Sequence, residues 1–128
     1  MKHNLYYILF LLVCVTALNA QTIDTTTLWP NGTELDFGYY ESRGVERFDS
    51  LLLQNNTDTP FIIENIRSSC GCTAVDWPLE PLEPGARIYI PVAFRCTKGG
   101  YVEKHLDVFL SHLAKRERIY VLADCPAR

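Results

Sequence analysis

The sequence predicts an all-β fold, a two-sheet immunoglobulin-like sandwich of about seven strands, and three observations carry that prediction. Apolar residues alternate with polar ones along short segments, most regularly between Arg87 and Cys125. Turn clusters rich in Gly, Pro, Asn and Asp separate the segments at roughly 8 to 12 residues, the rhythm of a sandwich. No window carries the 3.6-residue period of an amphipathic helix.

The chain opens on a segment that does not belong to this pattern. Lys2 and His3 form a short basic start, Leu5 to Ala17 is almost wholly apolar, and Ala17-Leu18-Asn19-Ala20 offers small residues for cleavage. Residues 1–20 therefore read as a secretory signal peptide, with the mature chain beginning at Gln21. A membrane anchor fits poorly, because about 13 apolar residues rise only about 20 Å as a helix, short of a hydrocarbon core of roughly 30 Å. A lipoprotein signal around Cys14 is disfavoured by Val13, which stands where a small residue is needed. Residues 21–33 are read as an N-terminal extension and 34–128 as one sandwich domain.

Within that domain Glu34 to Gly38 alternates briefly, Val45 to Gln54 forms a longer strand, and Phe61 to Ser68 another. The polar run Asn55-Asn56-Thr57-Asp58-Thr59-Pro60 turns between the last two. Thr73 to Gly85 is one long connection, broken by Pro78, Pro81 and Pro84. From Arg87, Ile88, Ile90, Val92, Phe94 and Cys96 share one face, against Arg87, Tyr89, Pro91, Ala93 and Arg95 on the other. After Lys98-Gly99-Gly100, Leu106, Val108 and Leu110 alternate with His105, Asp107, Phe109 and Ser111. After His112 to Arg116, Ile119, Val121, Ala123 and Cys125 alternate with Arg118, Tyr120, Leu122 and Asp124. These last three strands are expected to form one antiparallel run.

Charge narrows the functional classes. The chain carries 12 basic and 15 acidic residues, and Lys2 is the only charge in the first 20, so the mature protein has a formal charge of −4. Mild acidity without a basic stripe gives no footprint for nucleic acid and no polybasic segment for anionic lipid. No second run of membrane length follows the signal, so no membrane span is expected after cleavage.

The run Asn55 to Ile63, then Ser68-Ser69-Cys70-Gly71-Cys72-Thr73, then Trp77-Pro78, Pro81 and Pro84-Gly85, resembles the bacterial domain-of-unknown-function family 1573. Phe37-Gly38, Gly44, Phe94, Gly100, Lys104 and Val108 fall on the same family's strand and turn landmarks, and the resemblance covers roughly Leu35 to Asp124. It implies an exported protein of Bacteroidetes-like bacteria and a fold similar to the immunoglobulin-like domains of the major sperm protein and Hydin type. It implies no catalytic residues, since the family as a class has no established activity. Three positions depart from the family pattern: Thr57 replaces a turn glycine, Cys96 a common polar residue, and Cys125 lies near a usual glycine.

Four cysteines remain after cleavage, Cys70, Cys72, Cys96 and Cys125, and four in an exported chain allow three pairings. If strands run up and down in sequence, Cys96 and Cys125 finish at one end on inward faces, which predicts a Cys96–Cys125 disulfide. The same strand count puts Cys70 and Cys72 at the opposite end, with His112 near them and His105 towards the other. Cys70-Gly71-Cys72 admits a structural role, a thiol-redox role and a soft-metal role such as copper, the last needing a histidine as third ligand. No glycine-rich phosphate loop, G-x-S-x-G elbow or H-E-x-x-H helix is present, so neither an enzyme nor a resident cofactor is expected.

Outward Tyr89, Phe109, Tyr120 and Leu122, with Trp77 on the long connection, make a candidate contact surface. Trp77 also reads as a plug that packs the connection onto the sandwich. The sequence thus favours an exported, non-enzymatic binding or structural module whose partner is another envelope or secreted protein. Thiol or copper handling through Cys70 and Cys72 is the alternative.

Overall fold

The computed structural model describes residues 28–127, and the signal segment lies outside them. Seven strands follow one another: β1 (Glu34–Tyr39), β2 (Glu46–Gln54), β3 (Ile63–Ser68), β4 (Thr73–Val75), β5 (Arg87–Arg95), β6 (Gly100–Leu110) and β7 (Glu117–Cys125). They form a four-stranded sheet in the order β1-β7-β6-β3 and a three-stranded sheet in the order β2-β5-β4. The fold is the expected all-β sandwich. Among the described residues no helix is long and apolar enough to cross a membrane.

The period-2 patterns settle which side of each strand is dry. Ile90, Val92 and Phe94 of β5 face Val108, Ile119 and Val121 of β6 and β7 across the core, and all are at most 1 % exposed. β2 adds Leu51 and Leu53, and β1 adds Leu35 and Phe37. Two interleaved apolar faces remove water from each other, which neither sheet could do alone.

Alternation reveals a strand's face but not its neighbour. Of the three C-terminal strands expected as one antiparallel run, only β6 and β7 pair, from Gly100↔Cys125 to Val108↔Glu117. β5 lies in the other sheet, antiparallel to β2 from Glu46↔Arg95 to Gln54↔Arg87. Its link to β6 therefore crosses from sheet to sheet. β4, hidden within the long connection, pairs Thr73, Ala74 and Val75 with Phe94, Ala93 and Val92. Three residues are too few to display a period.

The core also begins earlier than the boundary expected at residue 34. Leu28 and Trp29 are 0 % and 2 % exposed. Leu28 O accepts a bond from Gln54 N at 2.9 Å, and Thr33 O one from Tyr120 N at 2.8 Å. The segment thus passes from the free edge of β2 to β7, where β1 then runs parallel to β7.

One polar side chain organises the end of the sandwich opposite the cysteines. Asn55 is fully buried. Its Nδ2 donates to Thr59 O at 2.9 Å and Leu82 O at 2.8 Å, while its Oδ1 accepts from Thr57 N at 2.9 Å and Thr57 Oγ1 at 2.6 Å. The amide so ties the 55–60 turn to the proline-rich connection, and Thr57 serves the turn through its hydroxyl at a negative φ where a glycine would have left the hydroxyl out. Asn55→Ala strips partners from Thr59 O and Leu82 O, and should cost about 2–4 kcal/mol, read as a lower denaturation midpoint at unchanged m-value.

Candidate functional site

Both cysteine pairs sit at one end of the sandwich. Cys96 follows β5 and Cys125 ends β7, 2 % and 3 % exposed, with sulfurs 1.98 Å apart, so this disulfide joins the two sheets inside the core. Cys70 and Cys72 are bonded to each other at 1.90 Å in the loop between β3 and β4. The expected separation of the two pairs does not hold. β4 turns back beside the last residues of β5, and Arg95 N donates to Cys72 O at 3.0 Å, which brings the loop next to Cys96. The proline-rich connection then travels to the far end before β5 begins, adding the traverse that a strand count omits.

The histidines exchange ends for the same reason. Ser69 N donates to His105 O at 2.9 Å, and His105 N donates to Ser69 Oγ at 3.0 Å, so His105 adjoins the cysteine loop. His112 turns at the other end, at φ 65°, beside the 57–61 turn. Among the described residues no group of three His, Cys, Asp or Glu is placed to hold a metal.

The Cys70–Cys72 loop is pinned on both flanks. Besides the Ser69 and Cys72 bonds, Ser68 Oγ donates to Cys70 O at 2.7 Å. Both cysteines are half-buried. Cys72 packs on the edge of the core, and Cys70 Sγ lies 3.6 Å from Thr73 Oγ1. The pair borders an open cleft of about 560 Å³ with Phe94 in its wall and Lys98, Tyr101 and Lys104 around it. A Cβ on Gly71 would meet nothing within 4 Å, so the disulfide's own turn faces open space. On the far side of the cleft Gly99 is filled to contact, since a Cβ there would stand 2.7 Å from Ala127 Cα, and Arg43 holds the same tail through Pro126 O and Ala127 O.

The outward aromatics do not form one surface. Tyr89 lies on the outer face of the three-stranded sheet and is 66 % exposed. Phe109 and Tyr120 lie on the outer face of the four-stranded sheet, where the Arg67 guanidinium covers Phe109 at 5.0 Å. Leu122 on that face is half-buried. Trp77 packs against the core with its indole N–H buried and unpaired, which makes it the plug rather than part of an open surface. A residue the sequence reading did not single out, Phe48, joins Tyr89 at 74 % exposure. Its parity with Leu52, opposite to inward Leu51 and Leu53, was the available signal. In register Phe48 faces Ala93, which faces Ala74, so an apolar row crosses all three strands.

Charge organises the opposite outer face. Arg118 Nε and Nη2 donate to the two Asp107 oxygens at 2.8 and 3.1 Å, with Arg116 Nε at 3.6 Å and His105 Nε2 at 3.9 Å from the same carboxylate. The Arg118 hydrogen bonds hold the Asp107 carboxyl below its ordinary value, and Arg118 is raised in return. A depressed acid stabilises the fold above its unfolded pKa and loses that contribution as pH falls through the folded one. The Asp107 carboxyl resonance should therefore titrate below pH 3.8, and Arg118→Gln should move it up.

The two disulfides should differ in what they hold. Cys96–Cys125 closes a sequence separation of 29 and Cys70–Cys72 one of 2. Loop entropy assigns the first about 3.5 kcal/mol and the second about 1.5 kcal/mol. Paired serine substitutions, each followed by urea denaturation, should rank in that order.

Among curated proteins none matches this chain. Solved structures do. A protein of unknown function from Porphyromonas gingivalis W83 superposes with a TM-score of 0.64 at 15 % identity, over 73 % of this chain and 44 % of that one. The ASH / PapD-like domain 7 of human CEP192 gives 0.63 at 12 % identity, over 76 % and 83 %. The Vibrio cholerae VesB protease gives 0.56 at 14 % identity, over 78 % and 32 %. This chain thus spans under half the Porphyromonas protein and about a third of the protease, and at such identities the likeness is one of fold. With a match from residue 29 to residue 125, through all seven strands and both disulfides, the chain belongs to the family described as protein of unknown function DUF1573.

Proposed function

We propose that the protein is an exported, non-catalytic immunoglobulin-like module that binds another envelope or secreted protein through the outer face of its three-stranded sheet. The observation that carries this reading is the contrast between the two outer faces. On the outer face of the four-stranded sheet Asp107 is ringed by Arg118, His105 and the loop residue Arg116, a solvated arrangement, and the exposed Tyr39 and Tyr101 flank the carboxylate of Asp124 rather than an apolar floor. On the three-stranded sheet Phe48 and Tyr89 stand in water at 74 % and 66 % exposure, with Ala93 and Pro91 along β5 between them and Ala74 beside Ala93 on β4. Two large exposed aromatics flanking a floor of small residues supply the apolar anchors of an interface centre. The Glu46–Arg95 pair at 3.7 Å marks one polar border and Arg87 the other. The partner this surface fits presents an uncharged apolar patch.

A non-catalytic role agrees with the titratable groups that depart from ordinary behaviour. Burial raises Tyr40, whose hydroxyl donates to Phe94 O at 3.0 Å, and the Asp107–Arg118 pair accounts for the other two. Each shift has a structural cause. Export rests on the signal-like first 20 residues, and paired cysteines are compatible with an oxidising compartment.

A photo-reactive amino acid placed at Tyr89 in the producing cell should give a discrete protein adduct, and the same group at Tyr120 should not. Phe48→Ser should abolish the Tyr89 adduct while leaving the melting temperature within about 2 °C. Adducts of equal yield at both positions, or none at either, would refute the assignment.

A further inference from the structure

We infer that Cys70–Cys72 is a thiol–disulfide exchange site, which accepts a cysteine thiol of a polypeptide lying in the adjoining cleft. This exchange, a single turnover per oxidised protein, goes beyond the sheet-face binding proposed above. Its main cleft shares no residue with that surface and only the smaller hollow touches the surface's border at Glu46, Ala74 and Arg95, so either reading can fail without the other.

The molecule contains its own comparison. Cys96–Cys125 is sealed in the core, where no nucleophile reaches it. Cys70–Cys72 is half-buried on an open cleft, with a glycine between the two cysteines that leaves the approach clear. Exchange needs access to one sulfur and a stabilised leaving thiolate on the other. The two cysteines divide these roles. Cys72 borders both the large cleft and a second hollow formed with Glu46, Ala74, Arg95 and Thr97, whereas Cys70 borders the large cleft alone. Cys70 Sγ lies 3.6 Å from the Thr73 hydroxyl, a donor for a developing negative charge. Thr73 is itself 8 % exposed on β4, so water competes little for that hydroxyl. Lys98 and Lys104 line the same cleft with one carboxylate, Glu103, so its lining carries a net positive charge towards an incoming and a departing thiolate.

The step balances without any further reagent. A substrate thiolate attacks Cys72 Sγ, a substrate–Cys72 bond forms, the Cys70–Cys72 bond breaks, and Cys70 leaves with the electron pair. A second thiolate of the same polypeptide then attacks the substrate sulfur of that mixed disulfide, and Cys72 leaves. The substrate carries a new disulfide, and its two electrons, with two protons, reside on Cys70 and Cys72. The anchoring of Ser69 to His105 and of Cys72 to Arg95 keeps the loop in place throughout.

The test mixes the oxidised protein with a single-cysteine peptide at neutral pH, quenches with acid, and locates adducts by mass spectrometry. The reference is the oxidised hexapeptide Ser-Ser-Cys-Gly-Cys-Thr, which has the same disulfide and no fold. The protein should exchange about tenfold faster than the hexapeptide or more, with the adduct on Cys72 and Cys96–Cys125 intact. Thr73→Val should lower the rate about threefold or more and Thr73→Ser should retain it, which separates the hydroxyl from packing. Lys98→Gln with Lys104→Gln should slow exchange without altering the fold. A rate no greater than the hexapeptide's, an adduct on Cys70, or Thr73→Val exchanging like the unsubstituted protein would each overturn the inference.

Discussion

The Cys96–Cys125 bond joins the central strand of one sheet to an inner strand of the other at the point where both run out of the core. A sandwich end is where packing is weakest, because apolar faces there meet water on one side, and a covalent link removes the freedom of the two sheets to splay. Much of that end is built around the fixed point. Gly44 N donates to Cys96 O, Tyr40 drops between the sheets to reach Phe94 O, and the β5–β6 link begins one residue later. The Cys70–Cys72 loop inherits its position from the same place, through the bond between Arg95 N and Cys72 O.

The faces of the strands were legible in the sequence, and so was the class of fold. Period-2 alternation reports burial directly, and Ile90, Val92, Phe94, Ile119 and Val121 lie where their parity puts them. Neighbour relations were not legible, because Arg87 to Cys96 reads identically whether it pairs with the next strand or with β2. The candidate site suffered from this more than the fold did. One three-residue strand, Thr73–Val75, reverses the end at which Cys70 and Cys72 emerge and exchanges His105 for His112 beside them. The buried start of the domain was equally silent: Leu28 and Trp29 sit among polar residues and Pro30, with no period to mark them as core.

The two outer faces differ in what it would cost to cover them. Arg118, Arg116 and His105 around Asp107 keep the middle of the four-stranded sheet wet, since an ion network desolvates poorly. The three-stranded sheet carries no such network over Phe48 and Tyr89, and its surface is correspondingly cheaper to cover. The main cysteine cleft lies at the end of the sandwich, away from Phe48 and Tyr89, while the smaller hollow on Cys72 borders the three-stranded face at Ala74 and Arg95.

The parallel pairing of β1 with β7 places the first and last strands of the domain side by side and pointing the same way. Tension applied between the start of β1 and the end of β7 therefore pulls two parallel neighbours lengthwise past each other. Their ladder bonds, from Glu34↔Tyr120 onward, are loaded together in shear rather than unzipped one by one. Pulled through its ends, the domain should therefore resist in shear, with the β7 side anchored to the opposite sheet through Cys125.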